Sequence, residues 1–233
     1  MQKHVNFGLA LLLLFGLFGC SVQQASWSGG IEDVPPISVD DPQKNGNTWF
    51  WQDKQNRWHY RDSDKVQAEY MSWDFESQAI VFRFHAPQQL NMYVGKPHSL
   101  FLRVFQLSGL KVFDEIRKTP AGVQELLSEK DIDASILSST DVYVAPNEIE
   151  KIAIDRHKAT RFVAVVAGYY GLDPADTVRV FQVPSVSNRE EELNFTVADI
   201  NPFATPAASE AARIKAWVDL GVTRISRLQM IAE

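Results

Sequence analysis

Between Gln78 and Val183 the chain is a succession of short apolar runs, each closed by turn-forming residues. Runs this short fit strands better than amphipathic helices, which need ten residues or more to present a stripe. The first run is explicit: Ile80, Phe82, Phe84 and Ala86 alternate with Val81, Arg83 and His85, the period-two pattern of a strand with one buried face. Ser99 to Leu107 is almost wholly apolar, as expected of a central strand covered on both faces. Further strand signals stand at 135–137, 141–145, 149–154, 161–170 and 177–183, separated by Pro146-Asn147-Glu148 and Gly171-Leu172-Asp173-Pro174. The pattern predicts a mainly β fold, an antiparallel sandwich over 78–185. A small helical insertion interrupts it. Phe113 and Ile116 sit three apart, Thr119-Pro120 offers a cap followed by proline at the first helical position, and Val123, Leu126 and Leu127 make a stripe.

The flanks read differently. Residues 20–47 are rich in Ser, Gly, Pro, Asp and Gln and predict a flexible tether, which could reach ~80–90 Å if extended. Residues 48–77 form an aromatic accessory segment, in which Trp49-Phe50-Trp51 and Trp58-His59-Tyr60 flank a polar turn and suggest a hairpin. That segment has two readings, a satellite cluster packed on the body or a platform of Trp49, Trp51 and Trp58 for a small molecule or cell-wall glycan. Beyond Pro184 the pattern dissolves, so 186–233 is expected to be a linker and C-terminal extension. Glu190-Glu191-Glu192 reads as a solvated charge run and 201–208 as a Pro- and Ala-rich linker. Ser209 is positioned to cap a short helix carrying Ala211, Ile214, Trp217 and Val218 and stopped by Gly221, and the last ten residues fit helix or strand.

Residues 1–19 have a charged start at Lys3, a short apolar run from Phe7 to Phe18 and a small residue at the end, the layout of a secretory signal. The run is too short for the roughly 20 residues of a membrane-spanning helix. Leu17-Phe18-Gly19-Cys20 resembles the bacterial lipobox, in which the cysteine becomes the lipid-bearing N-terminus. The alternative is an ordinary cleaved signal beside a free thiol. Cys20 is the single cysteine of the sequence, so no disulfide can form within the chain and the fold must rest on a packed core. With 45% hydrophobic residues and 14 phenylalanines the material for one is present. Ser21 follows, the pattern of a lipoprotein sent on to the outer membrane, with its body facing the periplasm.

Catalytic constellations are hard to find. The five histidines, His4, His59, His85, His98 and His157, include no helix-spaced metal pair, and there is no G-x-S-x-G elbow or Gly-rich phosphate loop. Asp131 with Asp133, or Asp155 with His157, are the sort of pairs that 29 acidic residues produce by chance. A formal net charge of −6 without a dense basic patch argues against nucleic acid. No cofactor or metal is expected, and binding or scaffolding is favoured over enzymatic activity.

One loop stands out. In Gln88-Gln89-Leu90-Asn91-Met92-Tyr93-Val94-Gly95-Lys96 four apolar residues occupy positions where polar ones are the default, and Tyr and Met are enriched at interfaces. They could face a partner or fold back onto the sandwich edge. The order of features around this loop is distinctive: Leu90-Asn91, then Gly95-Lys96-Pro97, the strand Leu102-Arg103-Val104-Phe105-Gln106-Leu107, the insertion from Phe113, Val142-Tyr143-Val144-Ala145-Pro146-Asn147-Glu148, and Phe162 to Tyr169. This order resembles the TssJ (SciN) family, the outer-membrane lipoproteins of type VI secretion systems. Pro146-Asn147-Glu148 stands where that family usually has Pro-Gly-Glu, and Val178-Arg179 where it tends to have Trp-Arg. The resemblance implies a transthyretin-like β-sandwich anchored by acyl chains on Cys20. It also implies a non-catalytic role, binding the periplasmic domain of the inner-membrane component TssM through Gln88, Gln89, Leu90, Asn91, Met92, Tyr93, Val94, Gly95 and Lys96.

Overall fold

The computed structural model describes residues 49–52, 57–60, 73–129, 131–186 and 210–232. The expected signal and tether, Cys20, Glu190-Glu191-Glu192, the expected 201–208 linker and the expected cap Ser209 therefore lie outside the described residues. In chain order the elements are β1 (Trp49–Gln52), β2 (Arg57–Tyr60), β3 (Glu76–His85), β4 (Leu100–Leu107), α1 (Lys111–Ile116), α2 (Pro120–Ser128), β5 (Ile136–Val144) and β6 (Ile149–Arg156). They continue with β7 (Phe162–Ala167), α3 (Pro174–Thr177), β8 (Val178–Gln182), β9 (Ser185–Val186), β10 (Glu210–Ala211), β11 (Ile214–Leu220) and β12 (Ile225–Ala232).

Two sheets face each other, one ordered β1-β2-β8-β7-β4-β5 and the other β12-β11-β3-β6, with a small β10-β9 pair beside them. Strand alternation fills the space between. Ile80, Phe82, Phe84 and Ala86 meet Leu102, Val104, Val163, Val165 and Phe181, and the Phe82 and Phe181 rings lie 6.2 Å apart across the layers. The opposite face of β4, β7 and β8 is covered as well. Phe105, Leu107, Ala164, Val166, Val178 and Val180 pack with Phe113, Val123, Leu126 and Leu127 of the helices in a second core. The unbroken apolar run of β4 follows from this double burial.

The helical insertion forms as its sequence predicts. Thr119 accepts a hydrogen bond from the Gly122 amide and Pro120 opens α2. Gly122 is required for a second reason: a Cβ there would stand 1.7 Å from the Ile116 carbonyl oxygen, so only glycine lets the two helices turn this tightly. Arg103 then binds the insertion to the sheet. Its guanidinium grips Asp141 of β5 through Nε (2.6 Å) and Nη2 (3.1 Å), while Nη1 donates to the carbonyls of Leu126 and Glu129 at the end of α2. A cation at a helix C-terminus complements the orphan carbonyls and the dipole. On the other face of β4, buried Gln106 donates to the Asp155 carbonyl and accepts from the His157 amide and the Thr160 hydroxyl, fixing the β6–β7 turn.

Three expectations need correction. In the stretch read as a short helix stopped by Gly221, Ile214–Leu220 is strand β11, paired antiparallel with β12 and parallel with β3. Ile214 and Val218 satisfy helical and strand periods alike; between Arg213 and Gly221 only seven residues are available, and the open edge of β3 takes them as a strand. Of the last ten residues, which fit helix or strand by sequence, Ile225–Ala232 form strand β12, so the expected C-terminal extension supplies two of the four strands in one sheet. The separate runs expected at 135–137 and 141–145 are one strand, β5. Ser138, Ser139 and Thr140 continue it because it is a sheet edge, where polar residues can face water. The aromatic segment does form a hairpin, β1 with β2, joined to the larger sheet by parallel pairing of Trp58 with Phe181.

A buried ionic cluster attaches the C-terminal strands. Arg156 holds the carbonyls of Ala211 and Ala212 at 3.1 Å and the Glu76 carboxylate at 3.0 Å, and Arg213 reaches the same carboxylate at 2.7 Å.

Candidate functional site

The loop from Ala86 to Ser99 is built on backbone bonds to its neighbours. The Ala86 amide donates to the Glu148 carbonyl, and the Pro87 carbonyl accepts from the amides of Leu90 and Asn147, so the β5–β6 turn braces the loop base. Asn147 takes φ +63°, a conformation that asparagine tolerates, and keeps that turn intact. Leu90 is fully buried in the sandwich core and plugs the loop into it. Asn91, also buried, has φ +47°; its amide nitrogen donates to the Ser99 carbonyl at 3.3 Å and its amide oxygen accepts from the Tyr170 amide at 3.2 Å. The Met92 amide donates to the Val222 carbonyl in the β11–β12 turn at 3.2 Å.

The tip is a tight two-residue turn. Tyr93 and Lys96 exchange backbone hydrogen bonds of 2.9 and 3.0 Å, leaving Val94 and Gly95 as the central pair. Both have positive φ, +49° and +71°, the signature of a type I′ turn. Asn-Gly is the favoured pair there; a β-branched residue at the first central position is strained. Val94 is nevertheless 81% exposed. Below it the Tyr93 ring stacks on Tyr170 with centroids 4.2 Å apart, and the His98 ring sits edge-on to both.

Of the nine loop residues singled out from sequence, Gln88, Gln89, Tyr93, Val94, Gly95 and Lys96 are exposed, Met92 is half-buried, and Leu90 and Asn91 face inward. The structure adds Tyr170, 54% exposed, and Val222, 41% exposed. Tyr170 could have been anticipated from Tyr169-Tyr170 at a strand end, since alternation sends adjacent residues to opposite sides. Nothing local marks Val222, which arrives through the long-range β3–β11 pairing. Tyr169 turns in and donates to the Arg224 carbonyl at 2.8 Å; burial pushes its phenol well above its ordinary range. Arg179 holds the Ile225 carbonyl at 2.7 Å, and burial lowers its guanidinium pKa, opposed by nearby Asp176. Trp49, Trp51 and Trp58 fall in the β1–β2 hairpin.

Among the described residues no cluster of three or more His, Cys, Asp or Glu is placed to hold a metal, and no helix is long and apolar enough to cross a membrane. The architecture defines a class: a mainly β sandwich with a helical insertion on one face and an apolar, loop-borne tip at one end. The chain belongs to the type VI secretion lipoprotein family (T6SS-SciN: VasD, EvfM, TssJ, VC_A0113), whose model matches residues 78–199. It is similar in structure to the type VI lipoprotein TssJ1 of Pseudomonas aeruginosa, at 20% identity and a TM-score of 0.42 over 66% of this chain and 95% of that one. Serratia marcescens Lip, a membrane-bound component of the type VI secretion system, matches at 20% identity and 0.44 over 65% and 96%. A chain in the structure of the TssM C-terminal domain from EAEC matches at 15% identity and 0.43 over 64% and 97%. No curated protein matches the chain.

Proposed function

We propose that this lipoprotein is held in the outer membrane by acyl chains on Cys20 and captures the periplasmic domain of a TssM-like inner-membrane protein with its β3–β4 loop. Its role is assembly, joining two membranes into one secretion complex, with no catalytic step. The observation that carries the reading is the Tyr93–Val94 tip, two exposed apolar side chains on a turn held by backbone bonds at its base and its neck. Contiguous exposed apolar surface marks interaction sites, and here Tyr93, Val94 and Tyr170 lie together. Pre-ordering the loop also lowers the entropy that capture would otherwise cost.

The test is capture of the purified periplasmic domain of the TssM-like partner from the same bacterium by the full chain in detergent. The double variant Tyr93→Asp with Val94→Asp is expected to abolish capture while the fold is retained, because Val94 is exposed and the half-exposed Tyr93 ring packs on the surface residues Tyr170 and His98, outside the core. Undiminished capture by that variant would refute the loop assignment. Leu90 is unsuited to this purpose, since an aspartate there would unfold the core. Metabolic labelling with a palmitate analogue, lost on Cys20→Ala, checks the anchor.

A further inference from the structure

We infer that the tip of the C-terminal hairpin, residues 221–224, joins the β3–β4 loop and Tyr170 in one docking surface flanked by the cations Lys96 and Arg224, fitted to a partner protein that presents an apolar recess edged by carboxylates. This rests on the proposed capture through the β3–β4 loop and adds to it a second element and a charge requirement.

The hairpin tip is held rigidly from several directions. The Gly221 amide donates to the Arg224 carbonyl at 2.7 Å, closing the turn, and a Cβ on Gly221 would collide with Ser226 Oγ at 2.2 Å and the Arg224 carbonyl at 2.9 Å. Tyr169 from the β7–β8 connection holds the Arg224 carbonyl, Arg179 of β8 holds the Ile225 carbonyl, and the Val222 carbonyl holds the Met92 amide of the loop. Three neighbouring segments therefore fix a turn whose own side chains, Val222, Thr223 and Arg224, are left pointing at water. That bond places Val222 beside Met92, the residue next to Tyr93 at the loop tip.

The charges at this end point to the partner. The carboxylates at this end each have a neighbour within the fold, Asp176 lying beside Arg179. Asp173 caps α3 through the Ala175 amide at 2.9 Å, Glu148 accepts from the Ala145 amide at 2.5 Å, and Asp219 lies 3.5 Å from His85. Lys96 and Arg224 are exposed and make no ion pair among the described residues. Two exposed cations beside an apolar centre are available to pair with carboxylates on a partner. Rim charges of this kind steer encounter and select partners of opposite charge.

The test measures affinity of the full chain in detergent for the TssM-like periplasmic domain at low and high salt. The variants are Val222→Asp, the pair Lys96→Glu with Arg224→Glu, and Tyr93→Asp with Val94→Asp as reference. The Tyr169 bond goes to the Arg224 main chain, so charge reversal leaves the clamp in place. Val222→Asp and the charge-reversal pair are each expected to weaken binding about tenfold or more at unchanged melting temperature, and the charge effect should shrink in high salt. Wild-type affinity in Val222→Asp or in the charge-reversal pair, with the reference variant impaired, would overturn this inference and leave the loop reading standing. Wild-type affinity in all three would overturn both.

Discussion

Replacing Val94 by asparagine should stabilise the free protein while weakening capture. Val94 sits at φ +49°, a region that costs an L-residue about 1–2 kcal/mol, with the Cβ branch adding to the crowding. Asparagine relieves most of that cost, because its short polar side chain tolerates this region and is favoured at the first central position of a type I′ turn. What valine contributes in return is small. It is 81% exposed, so only about a fifth of its side chain leaves water. Full burial would supply ~1.5–3 kcal/mol, which makes the loss about 0.5 kcal/mol. The balance is a gain of about 1 kcal/mol, or about 2–4 °C in Tm for a protein of this size. Thermal and urea unfolding of Val94→Asn beside the wild type read it directly. Val94→Ala, which removes the branch but keeps Cβ, should fall between the two. An unchanged or lower Tm in Val94→Asn would refute the strain argument, and undiminished capture by the same variant would refute the idea that Val94 is kept for contact.

Gly122→Ala should destabilise by about 1–3 kcal/mol, since the new methyl meets the Ile116 backbone and one of the two helices must move; urea unfolding measures it. Arg103→Met should leave the sandwich folded but release α2, seen as new protease sensitivity around Glu129, because the charge that gathers Asp141 and the helix-end carbonyls is gone. Arg156→Met strips Glu76 of the buried one of its two arginine partners and should cost about 3–5 kcal/mol in chemical unfolding. Tyr169 has a folded pKa raised above its ordinary value near 10, so the stability from its neutral phenol is full below that pH and is lost as pH climbs through the raised value. Tyr169→Phe should accordingly flatten the alkaline limb of the stability profile above about pH 10.

Local pattern made the centre of the fold legible. Alternation in β3, the all-apolar run of β4 and the Thr119-Pro120 cap each state their structure within ten residues, and each forms as stated. Legibility failed where the deciding partner is far away in sequence. Ile214 to Leu220 satisfies two periods at once, and what selects strand is the edge of β3, more than 120 residues earlier. The loop was legible as an apolar anomaly but not in its division of labour. Leu90 and Tyr93 are both apolar loop residues by composition, yet one is a core plug and the other a surface ring. The positive φ at Asn91 and at Val94, which turns the chain between them, leaves its mark in sequence only at asparagine and glycine. Arg103 and Gln106, the polar members of the motif that carried the resemblance, bind the insertion and the β6–β7 turn, so the most recognisable part of the sequence maintains the scaffold.

The parallel pairing of β3 with β11 explains why the surface can include the C-terminal hairpin. Antiparallel neighbours send their exits to opposite ends of a sheet, whereas parallel neighbours send them to the same end. Ile80 to His85 lie in register with Ile214 to Asp219, so the chain leaves both strands within a residue or two of the same level. Whatever follows β3 must then lie beside whatever follows β11. The first is the loop with the strained valine tip, and the second is the tight turn carrying Val222 and Arg224. Their carbonyl–amide bond, Val222 to Met92, is a consequence of that adjacency. A substitution that shifts the β11 register by two residues would displace the turn by about 7 Å along the strand. It would break this bond and the Tyr169 and Arg179 clamps together, which ties the geometry of the loop to a strand more than 120 residues away.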